Sequence, residues 1–351
     1  MANRFRKLLP ATQGAGTAAA PVGEERPGGL PARIHDVLHS NATLGPLFVL
    51  VLAVVIFSVT ADRFLEPGNL SLIVQQVMVV GTLGIAQTLI ILTAGIDLSV
   101  GAIMVLSSIV MAKLSADQGV PGLLALMIGF GVGTACGLVN GLLVTRLRLP
   151  PFIVTLGTLN VFFALNLWYS KSETIRGADM SDLLLWTGKT VDVGDTKITY
   201  GSLLMLGLFA VFAYLLKQTA WGRHVYAVGD DIEAARLVGI RVDRVLLSVY
   251  TVAGLLYGLT AWVLIGRAGS ASPNAIVNAN LETITAVVIG GTSLFGGRGG
   301  ILGTMLGALI VYAFNIGLSL AGVDDQLRVL AIGVLIIVAV SVDQWIRKVK
   351  A

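Results

Sequence analysis

Uninterrupted apolar runs constrain the fold of this chain more than any other feature. Leu44–Thr60 and Leu327–Val342 are two of them, and runs of about 17–25 residues match the hydrocarbon thickness of a bilayer. Apolar residues make up 55% of the chain and charged residues only 13%, about half of the charge usual in soluble domains. The runs are continuous rather than alternating, which argues against a transmembrane β-barrel. The sequence therefore predicts an all-α, polytopic integral membrane protein.

The apolar runs predict ten membrane spans. Of the 24 Lys and Arg residues, 16 fall in cytoplasmic segments if the N-terminus lies inside, and eight fall outside. Because basic residues are enriched on the cytoplasmic side, we predict ten transmembrane helices, N-in/C-in. The Gly-rich breaks Gly95–Ser99 and Gly296–Gly300 leave re-entrant turns open as an alternative to full loops. The predicted spans are 44–61, 70–94, 100–115, 122–145, 152–170, 200–217, 245–266, 281–296, 302–320 and 327–342.

Composition divides the chain into a tail and a membrane domain. Residues 1–43 are rich in Ala, Gly, Pro and charge and lack sustained periodicity, which is typical of a flexible cytoplasmic tail. The membrane domain covers 44–345, and 346–351 form a cytoplasmic C-terminus. Two longer polar loops interrupt it, 171–199 outside and 218–244 inside. A single cysteine, Cys136, rules out an intramolecular disulfide.

The inner loop contains a predicted short helix, about two turns long. Asp230 and Asp231 are suited to cap its start, because carboxylates there accept free backbone N–H groups and complement the helix dipole. Gly239 is a natural stop. Residues with good helix propensity lie between them: Glu233, Ala234, Ala235, Arg236 and Leu237. The small alanines leave room for a partner surface to approach closely.

Glu233-Ala234-Ala235, followed by three residues and then Gly239, resembles the cytoplasmic loop signature of bacterial ABC importer permeases. One departure follows it: the broader signature continues toward Ile-x-Leu-Pro, whereas here Arg241–Arg244 leads into the next span. Further blocks, in order within about residues 65–345, resemble the ribose/xylose/fructose type of permease. They are Thr88–Gly101, Leu149–Thr158, Trp221–Gly229 and Gly290–Gly299.

This resemblance implies the permease subunit of an ATP-driven monosaccharide importer in the bacterial inner membrane. ATP and Mg would be bound by a separate ABC ATPase subunit, so the chain would be neither an enzyme nor a cofactor- or metal-binding protein, and it would bind no nucleic acid. Two copies would form the pore, and a periplasmic sugar-binding protein would dock outside. The implied coupling helix to the ATPase comprises Asp230, Asp231, Glu233, Ala234, Ala235, Arg236 and Gly239.

Polar residues within the spans are candidates for the translocation path. A carboxylate inside a membrane costs roughly 2.5–3.5 kcal/mol on insertion scales, so Asp97 calls for an explanation. Its readings are an N-cap for the following helix, a place near the path or the ATPase-facing end, and a proton relay. Each candidate can equally bond neighbouring helices together. The candidates are Thr93, Asp97, Ser99, Asn140, Thr155, Thr158, Asn160 and Asn315.

Other functions remain open as alternatives. A related branched-chain amino-acid permease would share the architecture. An ion-coupled secondary transporter would need intramembrane charges, for which Asp97 and Glu282 are the candidates. An integral-membrane enzyme would need a catalytic constellation, which the sequence does not display. The nearest match to a nucleotide-binding P-loop, Gly188-Lys189-Thr190, has Leu183 where the first glycine belongs. The sequence does not name the sugar.

Overall fold

The computed structural model describes residues 43–194, 196–275, 279–334 and 337, and within them the chain is mainly helical. The predicted tail, apart from Thr43, and the predicted C-terminus 346–351 lie outside the described residues. The helices are α1 (Leu44–Thr60), α2 (Pro67–Leu92), α3 (Val100–Ala116), α4 (Gly122–Thr145), α5 (Pro151–Ser170), α6 (Asp182–Leu185), α7 (Tyr200–Gln218), α8 (Ala220–Asp230), α9 (Ile232–Leu237), α10 (Val242–Ala268), α11 (Ala279–Ile289) and α12 (Ile301–Leu320), and residues 325–334 are also helical.

Six of the described helices are long and apolar enough to cross a membrane: α2, α4, α5, α7, α10 and α12. Helices α1, α3 and α11 are apolar but shorter. The predicted span 281–296 is wrong in its second half, because α11 ends at Ile289. Its 11 residues reach about 16 Å, roughly half of a hydrocarbon core. Part of the last predicted span, 327–342, lies outside the described residues, so the count of ten and the N-in/C-in orientation stay predictions.

Helix α2 lies in the centre of the bundle, and α5 lies at its periphery. The most apolar part of α2 is 83% buried, against 28% for α5. Both helices begin with a proline, Pro67 and Pro151, which suits the first turn because its N–H groups have no intrahelical acceptor. The exposed apolar side chains of α5 are therefore available to lipid or to another protein chain.

Glycines bring α4 and α10 into backbone contact. A Cβ placed on Gly137 would overlap the carbonyl oxygen of Tyr250, and one on Gly258 would lie 2.9 Å from the Cα of Phe130. Gly254 faces Gly137 in the same contact. Small residues spaced four apart on facing helices permit such close packing in membranes. This seam sets the distance between the polar side chains that the two helices carry.

Short strands occur in the loops of this mainly helical chain. Strand β1 (Ile175–Arg176) pairs antiparallel with β4 (Ser270–Ala271), and β2 (Thr190–Val193) pairs with β3 (Thr196–Thr199). The predicted outer loop 171–199 therefore contains three strands, and the β1–β4 ribbon joins it to the segment that follows α10. Both ribbons lie between helices, so the membrane-length elements are unaffected.

Two breaks interrupt the helical path, which we define as the first break (residues 93–99, between α2 and α3) and the second break (residues 290–300, between α11 and α12). They lie against each other: the backbone N–H of Gly297 donates to the carbonyl of Leu92, the last residue of α2, at 3.0 Å, and a Cβ on Gly296 would lie 2.9 Å from the backbone nitrogen of Ala94. The predicted alternation of span directions would put both breaks and the loop 218–244 on the cytoplasmic side, which stays a prediction.

Candidate coupling helix and buried polar cluster

Helix α9, the predicted coupling helix and called the coupling helix below, has its start fixed by one carboxylate. Oδ1 of Asp231 accepts hydrogen bonds from the backbone N–H groups of Glu233 at 2.9 Å and Ala234 at 3.0 Å. The predicted capping role of Asp231 is confirmed. The same prediction for Asp230 is wrong, because Asp230 is the last residue of α8. Gly239 follows the helix with a φ of 87°, a conformation that favours glycine.

The coupling helix has one face against the protein and the others in the open. Ala235 is buried, whereas Leu237 is 89% and Val238 77% exposed. An ion pair of 2.8 Å joins Arg236 to Glu233 across the exposed surface. Leu237 and Val238 are adjacent, so they present two apolar side chains together beside the charged pair. The arrangement therefore suits docking to a partner.

Gly229, the residue before Asp230, packs on the second break and on Leu92, where α2 meets the first break. A Cβ on Gly229 would overlap the carbonyl oxygen of Leu92 and would lie 2.7 Å from the backbone nitrogen of Gly297. On the other side of the contact, a Cβ on Gly296 would lie 2.5 Å from the carbonyl oxygen of Gly229. Three segments that are distant in sequence thus meet backbone to backbone.

The second break takes its shape from glycines. Gly291, Gly296, Gly297 and Gly299 all have positive φ, where side-chain-bearing residues are strained. Helix α8 supports the loop, because the Tyr226 hydroxyl donates to the carbonyl oxygen of Gly299 at 2.9 Å. Burial raises the pKa of Tyr226 above its ordinary value. The phenol therefore stays protonated and remains a donor at neutral pH.

The first break holds a buried polar cluster, defined as Asp97, Ser99, Asn140 and Tyr257. Oδ1 of Asp97 accepts hydrogen bonds from the Ser99 backbone N–H at 2.7 Å and hydroxyl at 2.6 Å. Oδ2 accepts the Tyr257 hydroxyl at 3.0 Å. The Asn140 amide donates to the Ser99 hydroxyl at 2.8 Å. Every member is essentially inaccessible to solvent, so a carboxylate within the bundle is matched by three donors.

The N-cap reading of Asp97 is wrong in position. Ser99 is the N-cap residue of α3, and its side chain makes no capping bond to that helix. Asp97 lies two residues earlier and accepts the N–H of Ser99 itself. The carboxylate thus fixes the backbone just before the helix and reaches α10 with its second oxygen.

The other predicted path residues fall into separate environments. The Thr155 hydroxyl donates to the carbonyl of Ile96 at 3.0 Å and so holds α5 against the first break. Thr158 is buried and Thr93 bonds locally to Ile90 at 2.8 Å. Asn160 is exposed on α5, and Asn315 is half-buried on α12.

Sequence reasoning missed two residues of this region. Tyr257 lies on the same face of α10 as Tyr250, seven residues earlier. Two tyrosines at that spacing inside an apolar span were the sequence signal that could have identified it. Asn280 accepts the backbone N–H of Gly101 through Oδ1 at 2.9 Å. Its place at the beginning of α11 gave no comparable signal, because the contact joins residues far apart in sequence.

Six membrane-length helices among the described residues, together with a buried polar cluster between them, define a multi-pass membrane protein. A profile of the family described as branched-chain amino acid transport system / permease component matches residues 69–340. The chain belongs to this family.

Curated relatives cover nearly all of the chain. It is 53% identical over 323 residues to a fructose import permease protein of Rhizobium meliloti, covering 91% of this chain and 90% of the relative. It is 40% identical to a ribose import permease protein of Bacillus subtilis strain 168, over 86% of this chain and 92% of the relative. A D-allose transport system permease protein of Escherichia coli K12 is 35% identical, over 87% and 92% respectively. No solved structure matches the chain. The predicted resemblance to monosaccharide permeases is confirmed.

Proposed function

We propose that this chain is the permease subunit of an ABC importer that moves a monosaccharide across the bacterial inner membrane. The observation that carries the proposal is the coupling helix, capped by Asp231 and exposing Leu237 and Val238 between two membrane helices. An exposed apolar anchor on such a helix fits a cleft in a separate ATPase subunit, which would bind and hydrolyse ATP. The permease would then convert ATPase closure into movement of its helices.

A sugar is the substrate class that the relatives favour. Those reported above are named for fructose, ribose and D-allose, and the first shares more than half of its aligned residues with this chain. The family description refers to branched-chain amino acids, which was the alternative substrate class. Identity to individual sugar permeases supports the sugar over the amino acid.

The ion-coupled alternative gains no support from the intramembrane carboxylates. Asp97 accepts three hydrogen bonds within the polar cluster, and Glu282 accepts the Tyr312 hydroxyl at 2.9 Å. A proton relay needs a chain of exchangeable partners leading away from the carboxylate. The described partners instead tie each carboxylate to a neighbouring helix or to the adjoining backbone.

For the translocation path we favour the predicted residues that are open to a partner or ligand. Asn160 is exposed and bonds only to its own helix, through the Leu156 carbonyl at 3.0 Å. Asn315 is half-buried on α12. Sugar hydroxyls need hydrogen-bond groups that bind weakly enough for release. Asp97, Ser99 and Asn140 would instead hold the first break in shape.

The assembly would contain two copies of this chain. The largely exposed α5 offers a surface for the second copy or for lipid. A periplasmic sugar-binding protein would dock on the segments 171–199 and 267–280, which the β1–β4 ribbon links. Two ATPase subunits would engage the coupling helices from the cytoplasm.

Reconstitution tests this function directly. The chain is placed in liposomes with and without the ATPase and sugar-binding proteins of its own genome, and uptake of labelled fructose, ribose and D-allose is measured. We expect uptake only with both partners and ATP. Uptake by the chain alone on a proton gradient would refute the proposal.

A substitution on the coupling helix tests the docking surface. Glu233→Arg removes the ion pair with Arg236 and reverses the charge beside the exposed anchor. We expect less ATPase subunit to copurify with the variant, while Glu173→Arg, an exposed change in the outer loop, leaves copurification unchanged. If the parent permease and both variants retained the same amount of ATPase subunit, the coupling helix would not be the docking surface.

A further inference from the structure

Two segments of the chain each consist of a helix, a break and a second helix: α2, the first break and α3, and α11, the second break and α12. Hydrogen bonds join these two segments at several points. Close to the breaks, the hydroxyls of Thr88, near the end of α2, and Thr304, in the first turn of α12, are 2.6 Å apart and hydrogen-bonded. At the breaks, Gly297 donates to the Leu92 carbonyl. Just beyond the first break, Gly101 donates to Asn280 at the beginning of α11. Contacts before, at and after the breaks make independent movement of the two segments costly.

The coupling helix is attached to this pair through a glycine. Gly229 lies one residue before Asp230 and two before Asp231, the residue that caps the coupling helix. It packs against the hydrogen bond between the Gly297 N–H and the Leu92 carbonyl, because a Cβ on Gly229 would overlap the Leu92 oxygen and lie 2.7 Å from the Gly297 nitrogen. Because there is no side chain in this contact, no rotamer change can absorb a displacement.

A second contact strengthens the attachment. A Cβ on Gly297 would lie 2.8 Å from the Cα of Asp230, so the second break also packs on the next residue toward the coupling helix. Tyr226, three residues before Gly229 in α8, adds a hydrogen bond from its hydroxyl to the carbonyl oxygen of Gly299. Residues 226–230 thus contact the second break at Gly296, Gly297 and Gly299, and they contact Leu92, the last residue of α2, at the start of the first break.

We propose that Gly229 is a positioning residue for transport, joining the coupling helix to both breaks so that the two broken segments move with it as one unit. The proposal rests on the function above. ATPase closure would displace the coupling helix, and the backbone contact at Gly229 would pass that displacement to α2, α3, α11 and α12 together. Gly229 needs no contact with the sugar or with ATP.

The first test substitutes Gly229. Gly229→Ala forces apart the Leu92–Gly297 contact, whereas Gly207→Ala, on an exposed helical face with no atom within 4 Å of the new methyl group, is the matched control. In reconstituted transporter we measure sugar taken up per ATP hydrolysed. We expect this ratio to fall by about fivefold or more in Gly229→Ala, the scale of a lost coupling between sites, while ATPase subunit binding and hydrolysis continue. An unchanged ratio would overturn the proposal.

The second test does not depend on whether Gly229→Ala folds. Thr88→Cys and Thr304→Cys are combined with Cys136→Ser, and the pair is cross-linked by oxidation. If the two segments move as one unit, the cross-linked transporter takes up sugar as fast as the reduced sample. Loss of uptake on oxidation with recovery on reduction would overturn the proposal. Absence of ATP-driven uptake in the unmodified transporter would instead refute the function itself, so the two failures are distinguishable.

Discussion

The hydroxyl of Tyr257 lies 3.0 Å from Oδ2 of Asp97 and donates to it, although 160 residues separate the two. The contact links α10, the helix that follows the coupling helix, to the first break. It also provides a donor to a carboxylate that has no access to solvent. The stability of the bundle should therefore depend on one phenolic hydroxyl.

Tyr257→Phe removes this donor and keeps the ring. We expect the free energy of unfolding to fall by about 2 kcal/mol, the range for hydrogen bonds to charged groups, measured as a lower melting temperature in detergent. The matched control is Tyr214→Phe, since Tyr214 is 64% exposed and should melt like the parent protein. Equal melting temperatures for both variants would show that Asp97 does not need this donor.

Asp231→Ala removes the cap of the coupling helix. A lost N-cap costs about 1 kcal/mol, so we expect the ATPase subunit to bind the permease about fivefold more weakly. Binding is measured by titrating purified ATPase onto permease in nanodiscs. Asp230→Ala is the control because Asp230 is at the end of α8 and caps nothing. A larger effect from Asp230 than from Asp231 would contradict the capping argument.

Gly254→Val should disrupt the seam between α4 and α10. The added side chain would collide with the carbonyl oxygen of Gly133, and overpacking of this kind costs about 1–3 kcal/mol or more. We expect a reduced yield of monodisperse protein in size-exclusion chromatography. Gly131→Val introduces the same residue in α4 where no atom lies within 4 Å, and it should preserve the yield. Comparable yields would mean that the helices have room to separate.

Asn160→Ala and Asn140→Ala separate the path from the polar cluster. Asn160 is exposed, so its loss should raise the half-saturating sugar concentration about fivefold, the value of one hydrogen bond, at an unchanged melting temperature. Asn140 is buried and bonded to Ser99, so its loss should lower the melting temperature. Uptake kinetics and thermal unfolding are measured on both variants. An unaltered uptake curve for Asn160→Ala would show that Asn160 does not line the path.

Local features of the coupling helix were predictable from the sequence. The carboxylate of Asp231, the helix formers after it and Gly239 all act within a few residues of one another, and the structure shows the helix between them. The choice between Asp230 and Asp231 was not predictable, because α8 extends further than its polar sequence indicated. A local pattern thus gave the helix and its end but not which aspartate caps it.

Features that depend on distant contacts were not predictable. One of the three readings of Asp97 made it the N-cap of α3, yet its second oxygen is bonded to Tyr257 on α10. The span 281–296 was expected to be continuous, because hydropathy measures apolarity and not backbone conformation. Gly291 and Gly296 take positive φ there. The β1–β4 ribbon likewise joins two-residue strands that carry no individual signal and form only when the loops are neighbours.

The β1–β4 ribbon and the coupling helix are at opposite ends of α10. The helix begins at Val242, soon after Gly239, and ends at Ala268, beside Ser270 of the ribbon. Its 27 residues make a rod about 40 Å long. If α10 pivoted at the ribbon, a tilt of about 5° would displace its other end, at Val242, by about 3.5 Å. A small rotation of α10 about the ribbon would therefore become a displacement of several ångströms at the end that adjoins the coupling helix.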